Sequence, residues 1–261
     1  MASVLNYNPE YIFTFFILLL RVGGVFFTAP IISSETVPRM IRLYLAFLMT
    51  LILFNVIPPV QFPTNLNVAF YFLIVAKELM VGLLLGIVPR VMFAAIDFAG
   101  TVIGFQMGFS MANVVDPQTS ATVSIIASFK TLIATLLFVV VDGHHIFIEA
   151  LAASYEKIPI GGFLFSEGKI TILIQLTSTI FSIGLQLGAP IIVALLFTNV
   201  MMGFTARSIP NLNVFVVGFP LTILLGMLFL VTGMPFLTQS ISQQFLSTRQ
   251  GVIDLLSVMA K

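Results

Sequence analysis

Long apolar runs separated by short polar turns organise this chain. The first run extends from Tyr11 to Thr28 and is stopped by Pro30. The turn Ser33-Ser34-Glu35-Thr36 follows, and Pro38 stands near the start of the next helix, where proline is tolerated. A second run covers Ile41 to Ile57 before Pro58-Pro59, and a third covers Val68 to Val88 before Pro89-Arg90. Val91 to Val115 is helical in pattern, interrupted by Asp97 and Gln106 and ended by Asp116-Pro117. Val123 to Val141 ends at Asp142-Gly143. The most polar stretch is His144 to Lys169, with Pro159, Gly161 and Gly162 in its middle. Ile170 to Phe204 is too long for one straight span, so a kink is expected at Pro190. Arg207 to Asn213 reads as a turn, Val214 to Leu237 as the last strong run, and Ser240 to Lys261 as an amphipathic tail. A bilayer-spanning helix needs about 20 mostly apolar residues. The pattern therefore predicts an all-α, polytopic hydrophobic protein with kinked helices. No polar linker divides it, so 1–261 reads as one unit.

Composition narrows the class. Of 261 residues, 59% are hydrophobic and 8% charged, against about 45–50% and about 25% in soluble domains. A soluble fold could not hide that excess. The net charge of +1 and the lack of basic runs argue against nucleic acid as a partner. Cysteine is absent, which removes disulfides, thiolate catalysis and cysteine metal sites. No Lys or Arg precedes the first apolar run, so that run reads as a retained helix rather than a cleaved signal.

Charges interrupt the apolar runs. Arg21, Lys77, Glu78, Asp97 and Lys130 lie well inside them, and each would cost about 2.5–3.5 kcal/mol facing lipid at mid-bilayer. They are expected to face a protein interior, between helices or between subunits, or a watery cavity. Lys77 and Glu78 are neighbours and point about 100° apart, so each is expected to pair with a different helix. A proton relay is the alternative reading. Arg39 and Arg42 place the first loop inside, while the other charges carry little topological signal. Gly100, Gly104, Gly108 and Ala112 recur at every fourth position, as do Gly82 with Gly86 and Gly184 with Gly188, a spacing that suits close helix packing. The tetrapeptide Ala29-Pro30-Ile31-Ile32 recurs as Ala189-Pro190-Ile191-Ile192 without matching flanks.

Chemistry is sparse. No phosphate loop, zincin helix or nucleophile elbow is present, and no cofactor or enzymatic activity is expected. His144 and His145 with Asp142 and Glu149 suggest a metal site on paper. Adjacent histidines on a turn rarely address one ion, so a helix-terminating turn is the simpler reading. The stretch Gln106 to Ser120 mixes small residues with soft Met and Phe. It reads either as an ordinary helix end with its loop or as a deformable apolar plug.

Several motifs together resemble the FliR family of flagellar export proteins. They are Arg21-Val-Gly-Gly, Ala29-Pro30, and Val37-Pro38 with Arg39 and Arg42; then Glu78-Leu-Met-Val-Gly-Leu-Leu-Leu-Gly86 leading to Pro89-Arg90. Gly104-Phe-Gln-Met-Gly108 through Val115-Asp116-Pro117 resembles the family's central motif. Asp142-Gly143-His144, Ala206-Arg207, Pro210, Asn213-Val-Phe215, Gly218 and Pro220 complete the match.

The resemblance implies a subunit that assembles with FliP and FliQ into a closed export gate at the bacterial inner membrane, within the flagellar basal body. Further partners would be FlhB, FlhA, the basal-body ring, unfolded export substrates and membrane lipid. It implies a fusion of a FliP-like part, roughly 1–180, to a FliQ-like part, 181–261, with hairpins raised out of the bilayer. It also implies that Gln106 to Ser120 plugs the pore, with Phe109, Met111, Val114 and Val115 sealing it beside Gln106, Met107, Asp116 and Pro117. Position 111, often Phe in the family, is Met here. An injectisome homologue, a secondary transporter or ion channel using Lys77, Glu78 and Asp97, and a lipid-modifying membrane enzyme are the competing readings.

Overall fold

The computed structural model describes residues 9–34, 36–58, 68–109, 124–164, 167–209 and 214–260. Among them are eight helices and no strand. They are α1 (Pro9–Thr28), α2 (Arg39–Phe54), α3 (Val68–Gln106), α4 (Ile125–Val140), α5 (His145–Lys157), α6 (Glu167–Ser208), α7 (Val214–Thr232) and α8 (Met234–Met259). Three stretches are long and apolar enough to cross a membrane: Glu10–Thr28, Val68–Gln106 and Ile174–Ser208. The pairs α4 with α5 and α7 with α8 reach that standard only together, across a short break.

Two compact units form. The first comprises Met1–Arg90, Asp142–Ile174 and Ser247–Lys261; the second comprises Val91–Val141 and Gln175–Leu246. This grouping by contact is interleaved along the chain.

In the first unit α1 and α3 run parallel along small residues. A Cβ on Gly82 would strike the Arg21 carbonyl and come within 3.0 Å of the Gly24 Cα, and one on Gly86 would strike the Thr28 hydroxyl. Arg21, Gly24 and Thr28 thus meet positions 78, 82 and 86 in order, and the i, i+4 spacing on α3 keeps that seam on one face. In the second unit α3 and α4 make the same kind of approach, with Gly100 against Ala127 and Gly104 against Ser124. Gly184 and Gly188 let α6 lie against Phe98 and Ala99. The second unit's core joins Ile103, Met107, Ile126, Ile191, Leu195, Leu230 and Leu237. Phe93, Phe138 and Phe245 stack beside one another with ring centroids 5.1–5.6 Å apart.

Four expected boundaries move. Pro89 does not stop a helix: α3 continues through it for 39 residues. An internal proline costs about 3 kcal/mol, but Leu85, Val88, Val91 and Met92 are all buried, and their burial outweighs it. The helix ends at Gln106 rather than Val115, for a reason given below. The polar stretch after His144 contains a helix, α5, whose Ile146, Phe147, Ala150, Leu151 and Ser154 form a buried face. The run Val214–Leu237 breaks at Gly233, where α7 and α8 bend by 59°. The repeated tetrapeptide takes two conformations. Pro190 lies inside α6. Its counterpart ends α1 in a γ-turn, with the Ile32 amide donating to the Pro30 carbonyl at 2.8 Å and Ile31 at φ +70°. A β-branched residue at positive φ is strained, so the identical sequences are shaped by their surroundings.

Candidate functional site

The first unit buries a polar node around Arg21 and Glu78, both fully inaccessible. Arg21 Nε donates to Glu78 Oε2 at 2.7 Å and Nη2 donates to Oε1 at 3.1 Å, a two-pronged pair. Nη1 donates to the Ser154 carbonyl at 3.1 Å, the Ser154 hydroxyl at 3.2 Å and the Ile158 carbonyl at 3.1 Å. Nη2 also reaches the Ile158 carbonyl at 3.1 Å. The Ile158 carbonyl lies just past the C-terminal end of α5, where helical partners run out and a cation is favoured, while the Ser154 carbonyl also accepts from the Ile158 amide at 2.8 Å. The guanidinium stands 4.3 Å from the centre of the Tyr155 ring, and the Tyr155 hydroxyl donates to the Leu18 carbonyl at 3.3 Å.

Lys77 and Glu78 grip one residue from two sides. Gly161, at φ +76°, donates its amide to Glu78 Oε1 at 2.8 Å, and its carbonyl accepts from Lys77 Nζ at 3.1 Å. Adjacent side chains 100° apart are placed to flank a loop in this way. Lys169 Nζ donates to the Leu164 carbonyl and lies 4.8 Å from the Phe163 ring centre. The segment after α5 is therefore tied at Ile158, Gly161 and Leu164 by three cations from α1, α3 and α6. Ser154, Tyr155 and Gly161 were not legible as members of this node. The signal for them was the turn around Pro159, Gly161 and Gly162, which offers backbone groups beside a buried charge.

The remaining charges behave differently. Asp97 is exposed on the isolated chain and Lys77 is half-buried. Lys130 lies on the buried face of α4 with Ile126, Ala127, Ala134 and Phe138, at 2% exposure. Among the described residues its ammonium has no hydrogen-bond partner. Replacing Lys130 by Met is expected to stabilise the isolated chain by about 1–3 kcal/mol, because it removes an unpaired charge and keeps the volume. A melting curve in detergent checks this; a lower midpoint would show that the lysine has a counter-charge.

The candidate plug begins at a defined helix end. The Phe109 amide donates to the Gly104 carbonyl at 3.1 Å and the Gly108 amide to the Phe105 carbonyl at 3.0 Å. With Gly108 at φ +90°, these two bonds form a Schellman cap. That cap overrides the apolar periodicity and ends α3. Gly108 is thus a capping residue, not a continuation of the packing strip, and a Cβ there would lie 2.6 Å from the Phe219 ring. Met107 is buried against Gly226, and its carbonyl accepts from the Thr222 hydroxyl at 3.1 Å. Phe109 packs on the core that contains Ile103. The Gln106 Oε1 atom is buried without a partner among the described residues. Met111, Val114, Val115, Asp116 and Pro117 lie outside the described residues.

Long apolar helices closed by glycine seams around the buried Arg21–Glu78 pair define a polytopic helical membrane protein. The chain belongs to the bacterial export proteins, family 1, whose model matches residues 12–248. It is similar to the flagellar biosynthetic protein FliR of Bacillus subtilis, at 32% identity over 263 residues covering 99% of each chain. It is similar also to FliR of Escherichia coli, at 33% over 239 residues with 92% and 91% covered. FliR of Aquifex aeolicus is 30% identical over 239 residues, with 91% and 92% covered.

Proposed function

We propose that the chain is a subunit of the flagellar type III export gate. In this reading it assembles at the inner membrane with FliP and FliQ, beside FlhA, FlhB and the basal-body ring, around a channel for unfolded flagellar proteins. It works by packing and sealing, without a cofactor or catalysis of its own. The flagellar names of its relatives favour this branch over the injectisome.

The exposed face of α6 carries the reading. Its apolar stretch Ile174–Ser208 has 35 residues, a length of about 52 Å at 1.5 Å per residue. The hydrocarbon layer is about 30 Å thick, and even a 40° tilt accommodates only about 26 residues. Only 28% of the most apolar window of α6 is buried by this chain, against 67% for α3. Val193, Leu196, Phe197, Val200, Met201 and Phe204 repeat at helical spacing and are all exposed. Lipid cannot cover the whole helix, which leaves part of it free to pack against partner protein.

Within that assembly we assign the seal to Gln106, Met107, Phe109, Met111, Val114, Val115, Asp116 and Pro117. The cap at Gly108 supports this by giving the segment a fixed point of departure. Deleting the gene is expected to abolish filaments and motility, and the intact gene to restore them. An allele shortened within Val114–Ser120 should still assemble but make the membrane leaky to small solutes. A motile deletion strain would refute the flagellar role, and unchanged permeability in an assembled complex would refute the seal.

A further inference from the structure

The turn after α4 places three metal-binding side chains together. The ligand atoms of Asp142, His144 and His145 all lie within 4.8 Å of one another. The two imidazole rings lie side by side with centroids 4.3 Å apart and planes tilted by 39°, and His145 Nδ1 stands 3.8 Å from Asp142 Oδ1. That separation is too long for a hydrogen bond. No other hydrogen bond to these three side chains occurs among the described residues, so their lone pairs are available. Asp142 holds φ +55°, and the amide of His145 donates to its carbonyl at 2.9 Å. Glu149 is engaged instead by Arg249 at 2.9 Å. The two adjacent histidines thus lie side by side on this turn.

We propose that Asp142, His144 and His145 bind one divalent transition-metal ion. Two imidazoles and a carboxylate are a borderline donor set that suits Zn²⁺, Ni²⁺ or Cu²⁺ and disfavours Mg²⁺ or Ca²⁺. Bound at about 2.0–2.1 Å in a tetrahedral array, donor atoms lie about 3.3 Å apart. The present spacing closes to that value by rotation of exposed side chains, with His145 58% and Asp142 70% accessible. Three protein ligands leave the fourth position for water. The ion would clamp the start of α5 to the residue before it.

The test uses the full chain in detergent with any affinity tag removed. Titration with ZnCl₂ is expected to show one saturable site, and CoCl₂ to give tetrahedral visible bands. Exchanging both histidines for Asn, or Asp142→Asn, should weaken binding at least about tenfold. These are the chain's only two histidines, so diethyl pyrocarbonate provides a second measurement on unaltered protein. Zn²⁺ should protect both from modification, and prior modification should abolish binding. No saturation by about 1 mM Zn²⁺, or binding unaffected by modification, would overturn the proposal.

Discussion

Replacing Glu78 by Ala is expected to cost about 3–5 kcal/mol, much of the stability of an ordinary domain. The loss comes less from the attraction removed than from what remains. Arg21 would stay fully buried with Nε and one Nη2 hydrogen facing a void, and the Gly161 amide would lose its acceptor. A charge at this depth has no water to turn to. Removing both partners should be milder. A chain with Arg21→Met and Glu78→Met together is expected to recover part of the loss, since the unpaired buried charge is gone while the Gly161 amide and the Ile158 carbonyl still lack partners. Detergent melting curves of the two single variants and the double variant measure the coupling. Additive losses would mean that the pair is not the unit that matters. Steady-state levels in the membrane should follow the same order.

Gly82→Ala is expected to be nearly as damaging, although it adds a single methyl group. That methyl would overlap the Arg21 carbonyl and press on Gly24, and both are backbone that cannot rotate away. Helices α1 and α3 would have to separate, at about 1–3 kcal/mol or more. The same movement would draw Arg21 from Glu78 one turn along the seam. Gly23→Ala is the matched control. Nothing lies within 4 Å of its added carbon, so it should be neutral or stabilise by up to about 1 kcal/mol through helix propensity. Equal behaviour of the two variants in melting and expression would contradict the seam.

Helical class and membrane character were legible in the sequence because they depend on apolar excess and run length. The small-residue seams were legible in part: Gly82, Gly86, Gly100 and Gly104 lie where their spacing suggested. Gly108 was not, since the same four-residue interval does not tell a packing glycine from one that turns the backbone. Pro89 misled for a related reason. A local cost is visible in sequence, whereas the burial of Val88 and Val91 that outweighs it is tertiary. Arg21 and Glu78 stood out as charges in apolar runs, yet their other partners are mostly backbone groups, which no residue pattern marks. His144 and His145 lie side by side just after a positive φ at Asp142, which sequence does not reveal. For export itself, chemistry in the residues gave no lead; family membership supplied it.

The central claim is that this chain is built to be covered by protein as well as lipid. Purifying it from its own membrane in mild detergent and weighing the intact particle by native mass spectrometry tests that most directly. A defined complex containing both FliP and FliQ is expected. A monodisperse chain that retains its fold alone, with neither partner present, would contradict it.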